Sequence, residues 1–216
     1  MDLVRDDLAA LYPQFGLRIA HAGLVLTPPT DAELLDLAAI VAEPGGVLGP
    51  DEAHYVTWPA GDDDAARNFL ERSWRLRTAP GDTWFVAFAV QEGGRVVGHA
   101  TLARGDGPDA VWTTSWIARA EQGRGLGRRV RLMLLDLAFD HLGATRAVTS
   151  AAEDNAASLR VSQRCGYRET HRAPHADGTP EVHLALTPGA WRRRRLDDVV
   201  VEGVEPFRAA ISRPSR

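Results

Sequence analysis

SWIARAEQGRGLG, residues 115–127, is the stretch on which the reading of this chain turns. An apolar, β-branched and aromatic run ends here, and a long helical pattern begins just after it. Three glycines, Gly123, Gly125 and Gly127, stand at the junction. Glycine allows close backbone approach and dihedrals that other residues avoid. The first turn of a helix leaves N–H groups without internal partners, and its dipole favours a negative charge. The loop therefore reads as a cradle for a diphosphate, with Arg124, Arg128 and Arg129 as supplementary cations. The alternative is a glycine-rich connection with no ligand.

Two familiar phosphate loops fail against it. A dinucleotide fingerprint starting at Gly123 needs glycine where Arg128 stands, and one starting at Gly125 needs it at Val130. A P-loop closes with Gly-Lys-Ser/Thr, whereas this loop closes with Gly127-Arg128-Arg129. A nucleotide- or NAD-binding module is disfavoured on both counts.

Working outward, the run before the loop predicts a strand around residues 111–118. Leu126, Val130, Met133, Leu134 and Leu137 predict a helix over 124–141. RAVTS (146–150) reads as a short strand, 155–164 as a helix, Tyr167 as the start of a strand, and EVHLALT (181–187) as the last clear one. Upstream, two β-rich runs flank Glu92-Gly93-Gly94, a hairpin signal. LRIAHAGLVLTPP, from Leu17, reads as one strand ending at Pro28 and Pro29. Thr30 caps a helix with Leu34, Leu37, Ala38 and Val41 on one face. Residues 62–77 predict a further helix with Ala66, Phe69, Leu70 and Trp74 buried. Residues 44–62 read as a long connection. DDVVVEG (197–203) is either a strand or an arm on a neighbouring subunit.

The 216 residues allow one substantial core, and strands alternating with helices over 109–187 place them in one α/β domain. A net charge of -4 argues against a generally basic nucleic-acid binder. The single cysteine, Cys165, permits no intrachain disulfide and no cysteine zinc site, and no metal is expected. No apolar stretch approaches the roughly 18 residues of a membrane span, and the N-terminus shows no signal pattern. The expected location is cytoplasmic.

A second motif lies one helix and one short strand downstream: DNAASLRVSQRCGY, residues 154–167. With Gln122, Gly125 and Gly127 matching a Q/R-x-x-G-x-G/A loop, the pair resembles the GNAT superfamily of acyl-CoA N-acyltransferases. Asn155, Ser158, Val161, Gly166 and Tyr167, together with LTPGAW at 186–191, are similar to its RimJ/RimL-like branch. The resemblance covers roughly residues 20–191 and is specific within 112–168. It implies a mixed, mostly antiparallel α/β (α+β) sheet with splayed central strands, flanked by helices. The domain would be 1–191, with 192–216 an extension packing on the domain or on a neighbouring subunit. The layout also resembles an actinobacterial subgroup that uses succinyl-CoA.

The resemblance implies the following roles. Ser115, Trp116, Ile117 and Ala118 line the pantetheine arm with backbone groups. Gln122, Gly123, Arg124, Gly125, Leu126, Gly127 and Arg128 hold the CoA diphosphate. Asn155 and Ser158 face the far end of the arm and the sulfur. The reaction implied is direct attack of a neutral amine on the thioester in a ternary complex, where orientation supplies much of the rate. A backbone N–H at Ile117 would face the oxyanion, and Ser158 would bond or protonate the departing sulfur. Acetyl-CoA or succinyl-CoA is the donor, a small-molecule or protein amine the acceptor, and a homo-oligomer is compatible with the branch.

The base is missing from its expected place. Many relatives carry a glutamate on the strand before the glycine loop, where this chain has Trp112. Thr113, Thr114 and Ser115 beside it are not basic enough at pH 7. His54, in the 44–62 connection, is the candidate base; Asp51, Glu52 and His99 are weaker ones. The competing reading, supported by the absent glutamate, is a non-catalytic CoA-binding or protein-interaction domain. For Asn155 a helix N-cap, for Ser158 a structural hydroxyl, and for Cys165 a buried structural thiol are the plain alternatives.

Overall fold

The structure, a computed structural model, describes residues 3–48, 64–77, 84–107, 109–175 and 178–212. The predicted strands assemble into a nine-stranded sheet whose order is β7-β8-β6-β5-β4-β3-β2-β1-β9. The strands are β1 (Arg18–His21), β2 (Leu24–Thr27), β3 (Phe85–Glu92), β4 (Arg95–Arg104), β5 (Ala110–Ile117), β6 (Arg146–Ala152), β7 (Arg168–Pro174), β8 (Pro180–Leu186) and β9 (Val200–Glu202). The helices are α1 (Leu3–Leu11), α2 (Asp31–Ala42), α3 (Ala65–Leu76), α4 (Leu126–Asp136), α5 (Ala156–Cys165), α6 (Pro188–Arg192) and α7 (Val204–Ile211). This is the mixed, mostly antiparallel architecture expected.

Local chemistry explains the elements. Thr30 and Glu33 form a reciprocal capping box at α2, Thr30 N–H donating to Glu33 Oε2 at 2.6 Å and Glu33 N–H to Thr30 Oγ1 at 3.2 Å. The α2 face carrying Leu34, Leu37, Ala38 and Val41 is buried. Gly93 and Gly94 turn the β3–β4 hairpin with φ of 58° and 78°, the paired left-handed geometry of a two-residue turn. The stretch read as one strand from Leu17 is instead a hairpin, β1–β2, turning at Ala22 and Gly23 with φ of 43° and 83°. Alanine rarely adopts positive φ, so the turn carries half of the usual signal. In α3 the buried positions are Ala65, Phe69 and Ser73, while Trp74 is 49% exposed and donates to Asp31 at 3.3 Å. The stripe predicted through Trp74 is thus rotated on the helix.

All sheet pairings are antiparallel except one. β5 and β6 run parallel and share only three register pairs, Ala110↔Arg146, Val111↔Ala147 and Trp112↔Val148. Beyond them, β5 continues to Ile117 paired only with β4, and β6 continues to Ala152 paired only with β8. The two central strands therefore part into a V-shaped gap whose lips start at Thr113 and Thr149.

Side-chain alternation gives the sheet two faces. One packs on α4 and α5, in a core that includes Phe88, Leu102, Met133, Leu134 and Leu184. The other packs on α2 and α3 through Leu34, Leu37, Phe69 and Ala89. The chain after Trp191 joins the same sheet: β9 pairs with β1 at Ala20↔Val200 through Arg18↔Glu202. Gly203 follows because a Cβ there would lie 2.0 Å from the Gly16 carbonyl oxygen. Phe207 of α7 then packs edge-on against Trp84, centroids 5.7 Å apart. So VVVEG is a strand on its own chain.

Candidate acyl-CoA site at the strand gap

The glycine loop opens directly onto the gap. Gly123 and Gly125 have φ of 77° and 79°, and Gly125 is the N-cap of α4. Left-handed backbone at both positions is why glycine is needed there. A Cβ added at Gly127 would meet Val161 Cγ2 at 3.7 Å and Ile117 Cγ1 at 4.0 Å. That residue therefore brings the end of β5, the start of α4 and the middle of α5 together.

Each lip residue has a definite orientation. Ala118 N–H donates to the Val97 carbonyl at 2.8 Å, on the β4 side. By strand alternation the N–H of Ile117 turns the other way, into the gap. The Ile117 carbonyl is taken by the Gln122 side-chain amide at 2.9 Å, and that amide also donates to Val47 at 2.9 Å. Gln122 thus fixes the loop to the strand end. Trp116 points to the opposite face and stacks on His99, centroids 5.9 Å apart. Leu126 is buried in the core, so its part in the loop is its backbone.

The arginines divide. Arg124 is held by Glu92 at 2.8 Å and by Glu121, and Glu92 pushes its pKa up. Arg129 donates to the carbonyls of His21 and Ala22, at 3.1 and 2.7 Å. Arg128 is half-buried and has no side-chain hydrogen bond or ion pair among the described residues. Of the three cations expected to help at the loop, Arg128 alone keeps its guanidinium uncommitted.

Asn155 caps α5, its Oδ1 accepting from the Ser158 N–H at 2.9 Å. The plain reading of Asn155 therefore holds, and it fixes the turn that carries Ser158. The Ser158 hydroxyl is half-buried and unpartnered among the described residues. Cys165 is fully buried, and burial pushes its thiol up to about 11, as an inert structural thiol should be. His54, with Asp51, Glu52 and Trp58, lies outside the described residues. His99 is boxed between Trp116 and Phe69, whose ring is 5.6 Å away. Burial, reinforced by Arg72, lowers its pKa to about 4, which leaves it neutral near pH 7.

Two groups escaped the sequence reading. Arg131 of α4 is 3% exposed and its guanidinium bridges the two lips: Nη1 lies 3.4 Å from Thr113 Oγ1 and 3.4 Å from Thr149 Oγ1, and Nη2 lies 3.3 Å from Ser115 Oγ. The signal for its burial was the apolar run LMLLDLAF after it, which leaves α4 no solvated face. The second group is on β7 and β8, on the face away from α4 and α5. His183 Nε2 lies 3.6 Å from Glu181 Oε2, and the His171 ring stacks on His183 at 4.3 Å and 9°. His183 is the register partner of Ser150, on the β6 lip. Nothing local in sequence marks this pair, because it is made by sheet register.

A splayed parallel pair fed by a glycine-rich helix start defines an acyl-CoA acyltransferase fold. The sequence model described as "Acetyltransferase (GNAT) domain" matches residues 23–168, more than half of the chain, and the chain belongs to this family. Similar solved structures include Mycobacterium smegmatis RimJ in complex with CoA-disulfide, 19% identical, TM-score 0.61, covering 90% of this chain and 92% of that one. Aminoglycoside acetyltransferase AAC(6')-Ib in complex with coenzyme A is 20% identical, TM-score 0.61, covering 79% and 98%. A spermidine N-acetyltransferase chimera, SpeG from Vibrio cholerae with hSSAT, is 16% identical, TM-score 0.62, covering 80% and 100%. At these identities the likeness is one of fold. Among the described residues no His, Cys, Asp and Glu group is arranged to hold a metal, and no helix is long and apolar enough to cross a membrane.

Proposed function

We propose that the protein is an N-acyltransferase that moves a short acyl group from acyl-CoA to a primary amine. The observation that carries this is the gap itself: it opens beyond Trp112↔Val148 and meets the left-handed loop at Gly123 and Gly125. The residues fit the donor. Loop N–H groups from Gly123 to Arg128 and the Arg128 guanidinium supply donors for the diphosphate. The backbone of Ser115 to Ala118 offers the edge along which the pantetheine amides pair, as an added strand would. Acyl-CoA supplies an activated thioester carbonyl. The Ile117 N–H faces the position where that carbonyl oxygen gains charge, and the Ser158 hydroxyl is free to donate to the sulfur.

His183 answers the missing glutamate. It stands on the face away from α4 and α5, one strand from the gap, and the carboxylate of Glu181, 6% exposed, lies 3.6 Å from its Nε2. A histidine beside a buried carboxylate is suited to take a proton from an ammonium acceptor. The acceptor is a primary amine on a small molecule or a protein; the similar structures include enzymes named for spermidine and for aminoglycosides. Acetyl is the group in those names, and a succinyl group is the second reading, favoured by the buried Arg131. The test is release of free CoA thiol from acetyl-CoA and succinyl-CoA over a panel of polyamines, aminoglycosides and peptides with free N-termini. Amine-dependent release supports the enzyme. Saturable CoA binding without release by any amine of the panel supports the CoA-binding domain instead.

A further inference from the structure

We infer that Arg131 is a positioning residue for donor binding: its guanidinium is a strut that sets the width of the strand gap and the distance of the gap from the glycine loop. This rests on the acyl-CoA reading above. The ladder between β5 and β6 ends at Trp112↔Val148. Beyond that pair something other than backbone bonds must fix the separation of the strands. A gap that zips shut leaves no edge for a pantetheine arm, and one that drifts wide cannot be bonded across. The first side chains past the last pair are Thr113 and Thr149, and each hydroxyl lies 3.4 Å from the same atom, Arg131 Nη1. Nη2 lies 3.3 Å from Ser115 Oγ, the next β5 side chain on that face. One planar group therefore spans both lips.

A buried polar knot surrounds it. Thr113 Oγ1 shares a hydrogen bond of 2.7 Å with the Tyr167 hydroxyl and lies 3.5 Å from the Val148 carbonyl of the last ladder pair. The guanidinium carbon stands 5.9 Å from the centre of the Tyr167 ring. Arg131, Thr113, Thr149 and Tyr167 are all buried. Placing a cation among neutral hydroxyls opposes folding, because no counter-charge offsets its desolvation. An apolar side chain would fill the same place without that cost. What arginine adds is geometry, a rigid fork of five N–H donors that meets hydroxyls on two strands at once. Its three N···O distances all exceed the usual range of about 2.7–3.2 Å. Nη1 is equally far from either lip, as a group spanning two supports is and a group drawn onto one strand is not.

Its place on α4 fixes the second distance. Gly125 caps α4, and a Cβ added at Gly127 in the first turn would meet Ile117 Cγ1 at 4.0 Å. Arg131 follows Gly127 by about one helical turn, roughly 6 Å along the axis. One helix thus carries the loop assigned to the diphosphate at its start and the strut at the closed end of the gap. It meets β5 twice, at Ile117 by the mouth and at Thr113 and Ser115 further in. The arm between diphosphate and sulfur has a fixed number of bonds. A gap held at one width, and at one distance from the loop, pre-organises the site for that arm.

The test is a calorimetric titration with CoA of the full-length protein as wild type, Arg131→Met, Arg131→Lys, Thr149→Val and the Arg131→Met/Thr149→Val double variant, each well below its melting temperature. Wild type is expected to bind. Arg131→Met keeps an unbranched stem and removes the fork, and it should bind at least about tenfold more weakly. Arg131→Lys keeps the charge, but a single ammonium does not hold Thr113, Ser115 and Thr149 together, so its affinity should fall with that of Arg131→Met. Thr149→Val removes one lip contact at constant shape. It should lose part of the affinity, with no further loss in the Arg131→Met background. A role in stability alone lowers the melting temperature and leaves the folded variants with wild-type affinity. That result, or wild-type affinity in Arg131→Lys, overturns the inference and leaves the acyltransferase reading standing. Failure of wild type to bind CoA overturns both. Where Arg131→Met does not fold, Thr149→Val decides, and unchanged affinity there overturns the strut.

Discussion

The two faces of the gap are built in different ways. The side we assign to the donor comes from two contiguous stretches: 115–128, a strand end and loop running into α4, and 155–167, the N-cap and body of α5 with the turn after it. The face we assign to the acceptor is assembled from register: His99 on β4 meets Trp116 on β5, and Ser150 on β6 meets His183 on β8, only once the sheet has formed. The first arrangement is set by local backbone chemistry and so leaves a mark in sequence. The second is set by strand pairing between distant segments and leaves almost none.

The largest expected effect tests the acceptor face. His183→Gln should lower kcat by about 10³-fold, within the range of general-base contributions, while the donor's dissociation constant stays put. Loss of the acid-side limb of the pH–rate profile, where the rate rises with pH, would mark a general-base role; a uniform drop with an unchanged profile would reduce His183 to a packing group.

The same face should respond to acid through His99. Its folded-state pKa, near 4, is below the ordinary histidine value of 6.5, so the unfolded chain binds the extra proton first. Stability contributed by neutral His99 is present above about pH 6.5 and is lost as pH falls toward 4, by at most about 3 kcal/mol. Chemical denaturation of wild type and His99→Gln across this window should show the acid-linked loss in wild type and a flatter curve in the variant.

On the donor side, Gly127→Asp separates ligand from fold. An acidic residue in the first turn of α4 suits the helix dipole, and a Cβ there makes only ordinary contacts, the nearest at 3.7 Å. Thermal stability should hold, whereas CoA affinity should fall between about 10- and 100-fold through charge repulsion and lost donors. Ser158→Ala is expected to have the smallest effect, roughly tenfold in kcat if it donates to the sulfur. Because Asn155 bonds the Ser158 N–H rather than its hydroxyl, the cap survives this change. Wild-type turnover and affinity in Ser158→Ala would remove it from the site.

This contrast also explains what could be read in advance. The alternation of strands and helices over 109–187, the Gly93-Gly94 hairpin and the Thr30 cap all rest on local rules, and each is where it was expected. Ala22-Gly23 was missed because alanine at φ 43° is an unusual turn former. The expectation for Trp74 equates aromatic character with burial, whereas its indole reaches Asp31 at the surface. In sequence Arg131 is one of four arginines between residues 124 and 131. Its difference from Arg124 and Arg129 is not composition but helical phase, which points it between Thr113 and Thr149. His183 and Glu181 are two residues apart on one strand, a spacing too common to single out.

An acyltransferase of this design binds CoA in the gap beside Ile117. Amide hydrogen exchange of the protein with and without CoA addresses that location directly. The predicted result is slowed exchange at Ile117 and across Gly123 to Arg128, with the β1–β9 edge unchanged. Saturating CoA that leaves those amides unprotected, or protects a distant surface instead, would contradict it.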